Sequence, residues 1–598
     1  MTKSSSVERV LLFAPHSFIW VHAFPEALIG DALRHEGLQV HYVTCDKALW
    51  PWCVAMQSTG ASEDSPDSAK NDICKKCTSN KDVILKHFGF ESSSLSHYLT
   101  EEDQKEIKSI LGMTRPDSIY DLCIDGVNVG RACLYDFSLK HKKPFLREFS
   151  DSEWTAFLKP LESCLAAFFA GRRMLASVRP NYALFYSSSY SANLVVRLQA
   201  ERKMIPTFSL YAGTNWGNRL QRMHISNRDS FEAFAKKLDL WKQRFRMLPA
   251  SKTDLDSALL FQKTLFSGKN AMVYGGGNQK LPWRQLRSKW GIGPEQKVLL
   301  MATSSNDELV AAQTIDAIPQ KKEMVFATQL EWISETIEYI SKRKDLFLII
   351  RIHPRELPNR RDGVRAPHAQ QLEQLFSKLP DNIKVNWPAD GLALYDWLEV
   401  MDLGLTSWSS AGKEFALWGI PSLSYTEDIS FYPISELGYL ATNKSEYFRQ
   451  FEIALEKGWS SDRIFLAYRW LAYELEGSVF DLSDCISDSV SGPSLPVRLF
   501  NRLTRRKYAE RLWNLSHTAP PKQSGLISEK VLSGRPSEEV LEQTRNRIGS
   551  EQEEQREIKG VVFQAANILF GKDWRAAEAL SPLRANILEM CTGKACNR

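Results

Sequence analysis

The sequence predicts an α/β protein of two doubly wound units, each a mainly parallel sheet with crossover helices, followed by a helical C-terminal extension. Three observations predict it. Apolar strand-like runs alternate with helical spacing over residues 9–211, and a second alternation of the same kind begins at Lys297. The chain has 598 residues, too many for one hydrophobic core.

In the first alternation, Arg9–Pro15 (RVLLFAP) reads as a buried strand and Glu26–Glu36 as a helix stopped by Gly37. Gln39–Cys45 is the next strand. Cys164–Val178 reads as a helix, Tyr182–Tyr186 (YALFY) as a strand, Ser191–Arg202 as a helix and Thr207–Tyr211 as a strand. Strand, helix, strand in succession implies parallel pairing through crossovers. Residues 230–290 are mostly helical, with a glycine-rich break at Gly275–Gly277, and read as a bridge. Val298–Ala302, Leu346–Ile352, Ile383–Asn386, Leu403–Thr406 and Ser422–Tyr425 are the strands of the second unit. The expected domains are 1–270, 271–488, and a linker with helical extension over 489–598.

Composition is that of an ordinary globular chain, with 43% hydrophobic and 25% charged residues. A net charge of +5 argues against a dedicated nucleic-acid binder, so no nucleic-acid partner is expected. No apolar run approaches the roughly 18–20 residues that span a bilayer. The start, MTKSSSVERVLLFAP, lacks a signal peptide's layout, so a cytoplasmic location is expected.

Three segments carry candidate chemistry. Phe347–Glu356 (FLIIRIHPRE) delivers Arg351, His353, Pro354 and Arg355 to the end of an apolar strand, where open parallel sheets bind ligands. There a histidine can donate to a diphosphate, and Pro354 turns the chain. In Thr406–Pro421 (TSWSSAGKEFALWGIP), a strand leads to Ser409 and Ser410 and then a helix over about 411–418. Free N–H groups and serine hydroxyls there suit a phosphate, and Glu414 suits ribose hydroxyls. The same serines also serve as ordinary caps. Ser304 and Ser305, after the strand Val298–Ala302, sit where the first loop of this unit meets the phosphates.

In this order, the strand–His-Pro, T-x-x-S-S-x-x-x-E and G-x-P segments resemble the donor half of capsule polysaccharide biosynthesis glycosyltransferases. They are also similar to bacterial sialyltransferases, Kdo-transferases and polyol-phosphate polymerases. The resemblance implies a GT-B fold, two Rossmann-like domains facing across a cleft. It assigns His353, Ser409 and Ser410 to the nucleotide phosphate and Glu414 to the ribose. Ile124–Gly130 (IDGVNVG) resembles a segment of these families in which an acidic residue before a glycine is the general base, which here is Asp125. His16 and His22, in the loop after the first strand, are rivals for that role. The implied activity is metal-independent, inverting transfer from a nucleotide sugar, a CMP-linked acidic sugar favoured, to a surface polysaccharide or lipid-linked glycan. The alternatives are a CDP-polyol phosphotransferase, a nucleotide-sugar 2-epimerase, and a non-enzymatic assembly protein.

Cys45, Cys53, Cys74 and Cys77 have the spacing C-x7-C-x20-C-x2-C, which predicts a structural zinc site stapling the polar stretch between them. Asp254-Leu255-Asp256 reads as the capped start of a helix. No motif calls for a catalytic metal or a redox cofactor. Val497–Trp513 interleaves arginines with apolar residues and suits a helix on an anionic membrane face, predicting peripheral contact with the inner membrane.

Overall fold

The structure is a computed structural model and describes residues 7–143, 148–268, 281–318, 324–358, 363–427, 431–486, 519–576 and 580–593. The first unit opens with strands β1 (Arg9–Phe13), β2 (Gln39–Thr44) and β3 (Glu91–Ser94). A small hairpin follows, β4 (Cys123–Ile124) with β5 (Val127–Asn128). Strands β6 (Tyr182–Tyr186), β7 (Thr207–Ala212) and β8 (Arg222–Asn227) come next. The second unit contains β9 (Lys297–Ala302), β10 (Leu346–Arg351), β11 (Ile383–Asn386), β12 (Leu403–Thr406), β13 (Ser422–Ser424) and β14 (Tyr439–Leu440). The last strand is β15 (Val479–Asp481).

Two large sheets result. The first has the order β15-β8-β7-β6-β1-β2-β3, parallel except for the antiparallel pairs β7–β8 and β8–β15. The second has the order β11-β10-β9-β12-β13-β14 and is parallel throughout. Helices cover both faces of each sheet, so the central strands are apolar along their whole length, as in β10 (LFLIIR). One core packs Leu11, Phe13 and Phe185 against the helix Asp151–Val178, and another packs Leu12 and Leu184 against the helix Trp20–His35. The second sheet likewise has Leu299 and Leu348 on one face and Val298 and Ile349 on the other. The fold is therefore α/β with two Rossmann-like units, as expected.

Local signals act as the sequence implies. Ser251 and Asp254 form a capping box at the helix Lys252–Ser267, so the Asp254-Leu255-Asp256 segment is a helix start. The helix expected from Glu26 begins earlier, at Trp20, and runs through Pro25.

The C-terminal extension is packed onto both units. Strand β15 returns to pair with β8, and Ile527, Val531 and Leu541 join the core beneath the first sheet. Ile558, Val562 and Trp574 join the core of the second unit. Val497–Trp513 lies outside the described residues, as does Gly275–Gly277. Among the described residues no helix is long and apolar enough to cross a membrane.

One buried contact fastens this extension. Glu554 is fully buried, accepts Arg469 Nε at 2.9 Å and accepts the backbone N–H of Ala250 at 2.7 Å. Removing one partner of such a pair strands the other charge. Glu554→Ala should therefore lower unfolding stability by about 3 kcal/mol in denaturant titrations, with the secondary structure retained.

Candidate functional site

Three neighbouring strands of the second sheet end at one level. Ala302 of β9 pairs with Arg351 of β10 on one side and with Thr406 of β12 on the other. The loops beginning at Thr303, Ile352 and Ser407 therefore leave the same carboxyl edge. Side chains lock them together. Thr303 Oγ1 accepts the backbone N–H of His353 at 2.8 Å, and Ser304 Oγ lies 2.9 Å from Ser407 Oγ. Gln329 brackets Ser304, accepting its N–H at 2.7 Å and donating to its carbonyl at 3.1 Å.

His353 caps a short turn, Pro354–Glu356, and its Nδ1 accepts the N–H of Arg355 at 3.3 Å. Burial lowers its pKa, so the ring is neutral at neutral pH. With Nδ1 accepting, the ring hydrogen resides on Nε2, which makes His353 a hydrogen-bond donor toward the loop edge.

Ser409 Oγ accepts the N–H of Ala411 at 3.3 Å, and the exposed Ser410 donates to Glu414 Oε1 at 3.2 Å. The helix they precede, Ala411–Ala416, has only six residues and is shorter than the sequence suggested. Its dipole is correspondingly weak, so hydroxyls and loop N–H groups carry more of any anion contact. Glu414 also accepts Tyr395 OH at 2.8 Å, and burial raises its pKa. Lys413, invisible to motif reading, anchors this helix through a buried ion pair with Glu474, its Nζ 2.5 Å from Oε1.

Two arginines are engaged elsewhere. Arg351 is buried, and its Nη1 donates to Asn386 Oδ1 and to the carbonyl of Leu392 at 2.9 Å, so it braces β11 from inside. Arg355 forms a bidentate pair with Asp307, with Nε 2.8 Å and Nη2 2.7 Å from Oδ2. Its Nη2 also donates to the carbonyl of Leu139 in the first unit at 2.9 Å. Arg355 thus ties the His-Pro loop to the facing domain. Ser305 Oγ is turned to Glu308.

In the first unit, the loop after β1 carries His16 and the following helix carries His22 and Glu26. They line one cavity with Tyr186, Tyr190 and Asn193. His22 stacks on Tyr186 at 4.2 Å, and His16 meets Tyr190 edge-on at 6.3 Å. Both His16 ring nitrogens, Glu26 Oε1 and Asn193 Oδ1 are buried without a hydrogen-bond partner among the described residues. Polar atoms buried in this way call for a water or a polar ligand between them. Burial lowers His16 to about 4, and burial with neighbouring charge lowers His22 to about 3. Burial raises the carboxyl of Glu26 well above the carboxylate range. Tyr135 stands between the two halves, beside Asp136 and Tyr190 and within the fields of Glu308 and Arg355. Sequence reasoning missed Glu26, Tyr135 and Tyr190; a lone glutamate within an apolar helix was the only available signal.

Asp125 is elsewhere. Asp125 and Gly126 are the two left-handed residues, φ 48° and 74°, of the turn joining β4 to β5. Asp-Gly is the dipeptide such two-residue hairpins prefer. The Asp125 carboxylate is 60% exposed and pairs with Arg172 at 3.0 Å. A Cβ on Gly126 would come within 2.6 Å of Arg202 Cζ, at the end of the helix that returns to the amino edge of the sheet. The pair is a turn on the far side of the first unit from His16 and His22.

The four cysteines do converge. Cys45, Cys53, Cys74 and Cys77 line one small cavity of about 20 Å³. All are free thiols, and burial pushes Cys53 up to about 12 and Cys77 up to about 11. Among the described residues no three His, Cys, Asp or Glu side chains are placed to hold a metal ion. The polar stretch expected to need a staple instead leads into the 22-residue helix Asp67–Phe88, which contains Cys74 and Cys77. The four thiols expected to share a zinc ion are thus gathered around one space, two of them on a single helix.

The two sheets, each covered by helices on both faces, give the two-unit α/β architecture of a GT-B-type fold. No family model matches the chain, and no curated protein matches it. Among solved structures, it is similar to the Methanocaldococcus jannaschii UDP-GlcNAc 2-epimerase in complex with UDP-GlcNAc and UDP. Identity is 13%, coverage 77% of this chain and 98% of that one, and the TM-score 0.27. A UDP-GlcNAc 2-epimerase from Neisseria meningitidis bound to UDP-GlcNAc matches at 12% identity, covering 78% and 97%, with TM-score 0.26. The glycosyltransferase SnogD from Streptomyces nogalater matches at 11% identity, covering 79% and 96%, with TM-score 0.24. At these values the likeness adds nothing about activity.

The two imidazoles make stability depend on acid. Unfolded, each titrates near 6.5; folded, His16 and His22 titrate at about 4 and about 3. Between those values only the unfolded chain holds the protons, so stability is complete above about 6.5 and falls as pH drops toward 4. The double variant His16→Asn/His22→Asn should show a shallower decline in unfolding midpoint between pH 6.5 and 4 than the parent chain.

Proposed function

We propose that the protein is a glycosyltransferase that holds a nucleotide-sugar donor at the carboxyl edge of its second sheet. The observation that carries this reading is the coupling of three adjacent loops, those of Ser304, His353 and Ser407, at one carboxyl edge just before the serine pair. The nucleotide phosphates lie against Ser409, Ser410 and the loop N–H groups, and His353 Nε2–H donates to the phosphate that departs. Glu414, steadied by Tyr395 and Ser410, takes the ribose hydroxyls.

The acceptor glycan enters from the first unit. Its hydroxyl is placed beside His16 and His22, whose neutral rings can accept a proton at neutral pH. The acceptor oxygen forms a bond to the anomeric carbon, the bond from that carbon to phosphate breaks, and the nucleotide leaves with the electron pair. The hydroxyl proton passes to the imidazole. Rate enhancement comes from positioning and from donors aimed at the leaving phosphate. The donor class kept from the motifs is a CMP-linked acidic sugar, and the acceptor a surface polysaccharide or lipid-linked glycan.

Incubation with a panel of nucleotide sugars, with and without acceptor glycans, tests the reading directly. Acceptor-dependent nucleotide release is expected. Turnover of UDP-GlcNAc to a 2-epimer without acceptor would replace it with the epimerase reading.

Two variants probe the donor edge. His353→Ala should reduce turnover at least about 100-fold, the cost of one preorganised donor at a developing charge, with an unchanged unfolding curve. Ser409→Ala/Ser410→Ala should weaken nucleotide binding measured by calorimetry while leaving acceptor binding intact.

A further inference from the structure

A second charged cavity, of about 330 Å³, lies where the C-terminal extension docks on the first unit. It is bounded by strand β8, the helix Ser230–Gln243 and the segment 530–538. Tyr211, His224, Lys236, Lys237, Lys530 and Glu538 supply its chemistry.

Lys237 and Lys530 are 3% and 1% exposed, and among the described residues neither has a carboxylate at ion-pair distance; each instead lies over a ring, Phe234 at 5.9 Å and Phe208 at 5.5 Å. Lys237 Nζ donates to the carbonyl of Glu474 at 3.2 Å, and Lys530 Nζ donates to the carbonyl of Arg535 at 2.6 Å and to Asn227 Oδ1. Backbone carbonyls solvate an ammonium but do not neutralise it, and an uncompensated buried charge is costly. Lys237 and Lys530 share the field of one cavity carboxyl, Glu538, and the Glu474 carboxylate that Lys237 also feels is already paired with Lys413. At the rim, Arg228 and Glu232 offset each other across 3.8 Å.

The neutral wall also invites an anion. His224 stacks on Tyr211 at 4.5 Å, and its Nδ1 lies 3.1 Å from Ser478 Oγ. In the tautomer whose Nδ1 accepts from that hydroxyl the hydrogen is on Nε2, which is buried without a partner among the described residues. Two buried ammoniums and an unsatisfied ring nitrogen around one space match the donor set of a phosphate group.

We infer that this cavity binds a phosphate-bearing ligand, separately from the donor edge, and that the ligand clamps the C-terminal extension to strand β8. The site exists only when residues from both segments are together, so occupancy favours the docked state. It also touches the donor edge indirectly: Lys237 holds the carbonyl of Glu474, whose carboxylate holds Lys413 in the helix after the serine pair.

The test uses the full chain with pyrophosphate as probe, in the Ser409→Ala/Ser410→Ala background so that the donor edge contributes little. Calorimetry should show one saturable site, and thermal unfolding should shift upward with pyrophosphate. Lys236→Ala, at an exposed position, should weaken binding at least about threefold with an unchanged Tm in the absence of ligand. Lys530→Met should abolish binding, with circular dichroism confirming the fold. Competition by glycerol 3-phosphate or by phosphatidic acid vesicles then identifies a soluble ester or a lipid headgroup as the source, and either result supports the site. Absence of saturable binding, or binding equal in Lys236→Ala and the parent, overturns the inference even if glycosyl transfer is demonstrated.

Discussion

The candidate site depends on a shared level. Because Arg351, Ala302 and Thr406 sit opposite one another in three parallel strands, the loops that follow begin at one height and are forced into contact. Parallel pairing makes this possible, since every strand of the second sheet delivers its carboxyl end to the same edge. Thr303 and Ser304 then convert proximity into fixed geometry, one holding the backbone of His353 and the other meeting Ser407. A slip of one residue in β9 would turn its side chains to the opposite face and break both contacts at once. The small polar residues of residues 303–305 are therefore joints before they are ligands.

The charges around that edge divide by task. Arg351 and Arg355 stood beside the histidine in the sequence and looked like phosphate ligands. Each instead closes a structural circuit, Arg351 within its own sheet and Arg355 across to Leu139. Lys413 and Glu474, which no motif marked, fix the orientation of the helix that follows the serine pair. The positions expected to bind phosphate through full charges are thus occupied by brackets. What remains at this edge is a set of neutral groups, the hydroxyls of the serine pair and an imidazole, none of them held in an ion pair.

The strands were legible because parallel strands covered on both faces are continuous apolar runs. LFLIIR and RVLLF announce themselves without any partner in view. Edge strands were not: Glu91–Ser94 reads ESSS and Val479–Asp481 is three residues long, so both take their structure from a neighbour rather than from hydrophobic pattern. The carboxyl-edge residues were legible for the same reason as the strands that precede them. The direction of each side chain was not, because Arg351 and Glu414 are turned by Asn386 and Tyr395, which lie 35 and 19 residues away in sequence. Asp125 misled because a dipeptide suited to catalysis and a dipeptide suited to a tight turn have the same letters. The cysteines show the converse. Their convergence could be read from spacing, but the long helix through two of them could not.

The return of β15 to the first sheet has a consequence for synthesis. On a ribosome, the second sheet is complete in sequence once Leu440 has emerged, while the first still lacks its outermost strand at Val479–Asp481 and the apolar residues Ile527, Val531 and Leu541. At typical translation rates the interval between Asn227 and Asp481 is on the order of tens of seconds. Throughout it, β8 offers an unpaired edge and part of an uncovered apolar face to the cytosol or to chaperones. The segment that reaches maturity last is therefore the one that began first, and nascent-chain quality control would meet this protein with its amino-terminal half unfinished.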